Sequence, residues 1–238
     1  MQHNPPFSPR VSTGAPQPES DCRAQSVEAQ GAVIGVLLAA GFSRRFGVAN
    51  KLCQPLADGT WIALRAARAL IRALPQSMAV VRAQDTALQV ALAAEGLQLV
   101  ICDDMHVTQS DSLKQGVAQA QTDYPSLQGV VIALADMPFI QPATIANVAQ
   151  ALSEAATASQ PSQPNAAAMH PAPVSMVQPV YQGQPGHPVG FAAAWLPALH
   201  TLQGDQGARA LLRSHPTQVL RLACEDAGCV VDIDTPEA

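Results

Sequence analysis

Four short apolar runs, each followed by a tract with helical character, restrict this chain more than any other feature. The runs are residues 33–37 (VIGVL), 78–81 (MAVV), 97–101 (LQLVI) and 129–135 (GVVIALA). Between them lie Ala- and Leu-rich tracts at 61–74, 86–94 and 112–120. Near-continuous apolar runs are what strands show when helices cover both faces of a parallel sheet, and strict βα alternation builds such a sheet. The expectation is an α/β fold: a single Rossmann-like three-layer domain with a mostly parallel central sheet. Further strands are expected just before Gly183, at 219–223 and at 229–231, and further helices at about 192–202 and 206–214.

Two stretches fall outside this alternation. Residues 1–32 are rich in Pro, Gln and Ser without sustained periodicity, so they read as a disordered leader, with the catalytic domain at 33–238. Residues 155–179 are loaded with Ala, Gln, Ser and Pro and exceed an ordinary loop, so they read as a low-complexity insertion.

The first apolar run leads into Leu38-Ala39-Ala40-Gly41-Phe42-Ser43-Arg44-Arg45-Phe46-Gly47-Val48-Ala49-Asn50-Lys51-Leu52. Ligands of open α/β sheets bind at the carboxyl ends of strands. Ala39, Ala40 and Gly41 let backbone approach a ligand closely, and a glycine with positive φ at Gly41 would turn successive N–H groups toward one anion. Ser43 adds a hydroxyl, Arg45 a fork matched to phosphate oxygens, and Lys51 a point charge on a flexible stem. The stretch reads as a polyphosphate grip, although small residues also serve any tight βα turn. Neither the P-loop pattern nor G-x-G-x-x-G is present.

Bulk properties narrow the partners. The chain has 48% hydrophobic and 13% charged residues with a net charge of −5, which provides no electrostatic footprint for nucleic acid. No apolar run reaches the roughly 20 residues of a membrane span, and the polar start lacks the apolar core of a secretory signal, so the expected setting is cytoplasmic. Five scattered cysteines without C-x-x-C suggest neither a disulfide frame nor a zinc site.

Asp136 ends the fourth apolar run, as part of Ala135-Asp136-Met137-Pro138. A carboxylate there would repel a triphosphate unless magnesium, which takes one or two carboxylates plus substrate phosphates, lay between them. The alternative is that Asp136 caps the helix that Pro142 introduces. Near the end, Asp232 and Asp234 flank Ile233 in strand-like spacing, fit either to complete a metal site or to form a solvated acidic terminus. Gly186-His187-Pro188 is a rigid turn presenting an imidazole, read as a packing residue or an acid–base group.

These residues carry a resemblance. The pattern L-A-A-G-x-S-x-R-F-G-x-x-N-K-L over 38–52, the A-D-M-P at Asp136 and the D-I-D-T-P-E from Asp232 resemble, in this order, the molybdenum cofactor nucleotidyltransferase family, and most closely its cytidylyl-transferring branch. The resemblance implies a fold of the nucleotide-diphospho-sugar transferase type and magnesium-dependent transfer of CMP from CTP to the terminal phosphate of molybdopterin, releasing pyrophosphate. It assigns nucleotide binding to Leu38, Ala39, Ala40, Gly41, Ser43, Arg45, Lys51 and Ser112, catalysis to Arg45, Lys51 and Asp136, and metal binding to Asp136, Asp232 and Asp234. Ala40 stands where guanylyl-transferring relatives have glycine, which points to CTP. A client molybdoenzyme is an implied partner. The stretch 104–113 departs from the family in lacking a glycine-containing turn, though Ser112 and Leu113 are retained. The competing readings are guanylyl transfer to the same cofactor, a sugar-phosphate nucleotidyltransferase, and a non-catalytic carrier of the cofactor.

Overall fold

A computed structural model describes Met1 and residues 31–41, 50–102, 108–158, 174–204 and 207–233. Most of the leader, Ser43, Arg45, Asp234 and the middle of the 155–179 tract therefore lie outside the described residues.

The chain runs β1 (Val33–Leu38), α1 (Ile62–Ala73), β2 (Ser77–Arg82), α2 (Thr86–Ala94), β3 (Gln98–Cys102), α3 (Gln109–Asp123), β4 (Gly129–Leu134), α4 (Pro142–Ala158), β5 (Met176–Tyr181), β6 (Gln184–Pro185), β7 (Val189–Ala192), α5 (Leu196–His200), α6 (Arg209–Ser214) and β8 (Val219–Ala223). The sheet order is β3-β2-β1-β4-β7-β5-β6, with β8 also paired to β5. β3, β2, β1 and β4 are parallel, whereas β7 joins β4 and β5 antiparallel. The strand sequence leaves β1 in one direction for β2 and returns to its other side for β4. The switch point of this sheet is thus the crevice where Leu38 and Leu134 stand in register.

Alternation along the strands divides the core. Leu37, Ala79, Val81, Val131 and Ala133 face α1, α2 and α4, while Ile34, Val36, Val80, Val130 and Ile132 face α3, α5 and α6. Two apolar layers over one two-faced sheet explain why the strands read as unbroken apolar runs. Gly116 lets α3 lie close against the sheet, since a Cβ there would sit 2.7 Å from Val36 Cγ1 and 2.8 Å from Val80 Cγ2.

Three expectations need correction. Residues 155–158 continue α4 and 176–179 belong to β5, so the edges of the tract read as an insertion are regular structure. Residues 227–229 form a 3₁₀ turn instead of starting a strand at 229. The antiparallel β7 carries Gly190 between Val189 and Phe191, and its four residues are too few to show a period.

The return strand opposite β5 is interrupted. Val180 pairs with Pro185 and Val177 with Gly190, so five residue steps on the return side span three on β5. The return side thus carries two extra residues in a bulge that includes Gly186, His187 and Pro188, and bulges re-aim side chains beside functional crevices.

Candidate active site

The end of β1 turns sharply because its next residues are already committed. Ala39 N–H donates to Val80 O at 2.9 Å, and Leu38 O accepts from Ala135 N at 3.1 Å, which ties the exits of β1 and β4 together. Ala39 and Ala40 are buried. The amides able to face an anion therefore begin at Ala40. Gly41 is open to solvent with no atom within 4 Å of where a Cβ would be, and it is not among the positive-φ glycines, which are 59, 96, 183, 204 and 207. What Gly41 contributes is clearance for a ligand, not a left-handed turn.

Asn50 and Lys51 re-enter the site through a short 3₁₀ turn at Lys51–Cys53, where Asn50 Oδ1 accepts from Leu52 N at 3.0 Å. Lys51 Nζ then reaches Asp136 Oδ2 at 2.9 Å, across 85 residues of sequence. Both side chains are sheltered, at 12% and 26% exposure. Asp136 does not cap α4. That end is held by Asp226, whose Oδ2 accepts from Gln141 N at 2.9 Å and Thr144 Oγ1 at 2.7 Å.

Asp232 is brought to the same place by backbone: Ile233 N donates to Asp136 O at 3.0 Å. Residues 231–233 are irregular, so Asp232 is not carried on a strand. Asp136 and Asp232 nevertheless line one cavity of about 490 Å³ together with Leu38, Gln109, His187 and Arg209. Ser112 is buried on α3, and its Oγ donates to Thr108 O at 3.2 Å, while Gln109 and Leu113 of the same helix line the cavity.

His187 is the site residue whose environment is most altered. Burial, and then the charge of Arg209, hold its imidazole down at about 4, against an opposing pull from Asp136 and a backbone hydrogen bond at Ile132. The ring is neutral at pH 7, and its Nδ1 is buried without a partner. Asn50 Nδ2, next to Lys51 in the chain, is also buried and unpartnered. Buried polar atoms are normally satisfied, so these two, like Ser110 Oγ on α3, are exceptions with hydrogen-bonding capacity left over.

Among the described residues no three or more His, Cys, Asp or Glu side chains cluster to form a closed metal site. Two carboxylates on one cavity wall fit a hard divalent cation that draws its remaining oxygens from a phosphate ligand and water. Lys51 supplies the positive charge that balances Asp136 in this state.

Gln109, Gln178, His187, Arg209 and Arg213 complete the cavity, and residue typing alone did not single out the glutamines and arginines. The i, i+4 spacing of Arg209 and Arg213, which places both on one helical face, was the available signal.

A protein-family profile described as the MobA-like NTP transferase domain matches residues 35–219. The chain is similar to the purine catabolism protein PucB of Bacillus subtilis (strain 168), at 32% identity over 213 residues that span 86% of this chain and 93% of that protein. Among solved structures it is similar to Rv0371c of Mycobacterium tuberculosis H37Rv, at 26% identity and a TM-score of 0.69, covering 86% of this chain and 93% of that one. A manganese complex of Rv0371c matches with 24% identity and a TM-score of 0.62, covering 82% of this chain and 88% of that one. Among the described residues no helix is long and apolar enough to cross a membrane.

Proposed function

The chain belongs to the MobA-like NTP transferase domain family, and on that premise we propose that this nucleotidyltransferase moves CMP from CTP to the terminal phosphate of molybdopterin, with release of pyrophosphate. The observation that carries this reading is the meeting of Lys51 and Asp136 at 2.9 Å beside the β1–β4 switch point, with Asp232 on the same cavity. A cation and two carboxylates at a strand-end crevice suit a ligand that is itself a polyanion with a divalent counter-ion.

In this mechanism the loop after β1 receives the triphosphate, with Gly41 giving backbone clearance and Ser43 and Arg45 adding donors to the phosphates. Lys51 turns from Asp136 to the phosphates and stabilises the charge that builds on departing pyrophosphate. Asp136 and Asp232 would hold magnesium, which when bound would polarise the α-phosphate as a Lewis acid. That a structure of the similar Rv0371c protein is a manganese complex supports the use of a divalent cation. Attack by a phosphate monoester needs no general base, because its second pKa of about 6 leaves it largely dianionic at pH 7. A neutral His187 agrees with that: its unpartnered Nδ1 is free to accept a hydrogen bond from a ligand, with no proton to give the nucleophile. Positioning then does most of the work.

The choice of CTP rests on Ala40. Its side chain is fully buried in the core with Met78 and Val80, so it acts on the base by fixing the backbone between Ala40 and Gly41. The test is pyrophosphate release with magnesium, molybdopterin and each of CTP, GTP, ATP and UTP. CTP is expected to be turned over fastest; GTP preference would move the assignment to guanylyl transfer, and no release with any nucleotide would indicate a carrier.

A further inference from the structure

The cavity at Asp136 continues into a second one of about 280 Å³ that shares Gln178, Arg209, Leu212 and Arg213 with it and adds Pro185 and Arg221. Three exposed guanidinium groups from two elements line this extension, and among the described residues no carboxylate does. Elsewhere the described arginines are compensated: Arg65 pairs with Asp58, Arg68 with Glu95 and Arg82 with Asp85. Arg72, which pairs with none of these, sits in the last turn of α1, where a cation suits the helix terminus. Arg209, Arg213 and Arg221 have no carboxylate partner among the described residues, in a chain whose net charge is −5.

The way Arg221 is held sharpens this. It donates to Oε1 of the buried Gln178, whose Nε2 in turn donates to Gly186 O at 3.1 Å. A neutral amide thus orients the guanidinium and leaves its charge uncancelled, whereas a carboxylate at the same place would have neutralised it. Arg209 and Arg213 project from one face of α6 toward the same space.

Position decides which substrate meets this wall. Along the sheet, β8 is four strands from β1 by way of β4, β7 and β5, roughly 19 Å at normal strand spacing. Arg221 therefore stands that far from the β1 end and Lys51, beyond the triphosphate, while Arg209 and Arg213 bridge the two cavities.

We propose that Arg209, Arg213 and Arg221 form a second anion site, which holds an anionic group of the acceptor remote from its attacking phosphate. This rests on the nucleotidyl-transfer reading. Two measurements separate the failure of one from the failure of the other. In steady-state assays, Arg213→Gln and Arg221→Gln should each raise the acceptor KM by at least about tenfold, the size of a lost charge-assisted contact, with the CTP KM moved less than about twofold. Arg72→Gln, which removes the same charge from α1, should leave both constants unchanged. An unmoved acceptor KM, or an equal rise in the CTP KM, overturns the proposal. Should the wild type release no pyrophosphate with any nucleotide, the functional reading fails, and the site is judged by titrating inorganic phosphate while following arginine Nε–Hε resonances by NMR. Saturable shifts of Arg209, Arg213 and Arg221, lost in the Arg213→Gln/Arg221→Gln double variant, support an anion site; absence of saturable shifts overturns it.

Discussion

The two members of the Lys51–Asp136 pair should respond in opposite directions to removal, and the size of the effect follows from their surroundings. At 2.9 Å, with side chains 12% and 26% exposed, the pair is too sheltered for the roughly 0.2–1 kcal/mol of an open surface pair and too wet for the about 3–5 kcal/mol lost on breaking a buried one. A double-mutant cycle of Lys51→Ala and Asp136→Asn, read by urea denaturation, should give a coupling of about 1–2 kcal/mol. Ligand binding then separates the roles. In calorimetric titrations with EDTA, Lys51→Ala should weaken CTP binding by about tenfold or more, because a charge-assisted contact is lost. Asp136→Asn should leave binding equal or tighter, because a carboxylate that repels the triphosphate is gone. Adding magnesium should strengthen CTP binding to the wild type and not to Asp136→Asn. A coupling below about 0.3 kcal/mol would refute the contact. An unimpaired magnesium response in Asp136→Asn would refute the metal role.

Three further outcomes are expected. Asp226→Ala removes a carboxylate that is 5% exposed and accepts from Gln141 N, Thr144 Oγ1 and Gly228 N; it should cost about 3 kcal/mol in urea unfolding, and a loss under about 1 kcal/mol would contradict the tie between α4 and the 227–229 turn. NMR titration of His187 should find it neutral down to about pH 5, since burial and Arg209 place it near 4. Because the unfolded chain takes up that proton first, this group's contribution to stability is complete above about pH 6.5 and falls as the pH drops toward 4; a titration near 6.5 would contradict its burial. Ala40→Gly should lower the CTP/GTP ratio of kcat/KM by loosening the loop anchored in the core, and an unaltered ratio would remove Ala40 as a selector.

The parallel half of the sheet was legible because β1, β2 and β4 are buried on both faces and so written as apolar runs, with the partly exposed β3 at the edge still mostly apolar. The antiparallel half was less so: β7 is four residues long, and its partner strand is interrupted by the Gly186-His187-Pro188 bulge. Lys51 and Asp136 could be named as candidates from residue chemistry, and Asp232 only with the resemblance, since by itself it also reads as part of a solvated acidic terminus. Their contact could not, since it depends on the 3₁₀ turn at Lys51 and on the Ile233–Asp136 backbone bond. The role of Asp226 was hidden for the same reason: it caps a helix 85 residues earlier in the chain. Arg209, Arg213 and Arg221 belong to no motif in the sequence, and only the fold shows these exposed side chains lining one cavity with no acid among the described residues.

The most direct test of nucleotidyl transfer at this site is a single turnover of CTP labelled at the α-phosphorus, with magnesium and molybdopterin, followed by separation of the products. The label should appear in CMP joined through a new phosphoanhydride bond to the acceptor's phosphate, with unlabelled pyrophosphate released in equal amount. Label recovered only as free CMP, or only as intact CTP, would contradict the transfer.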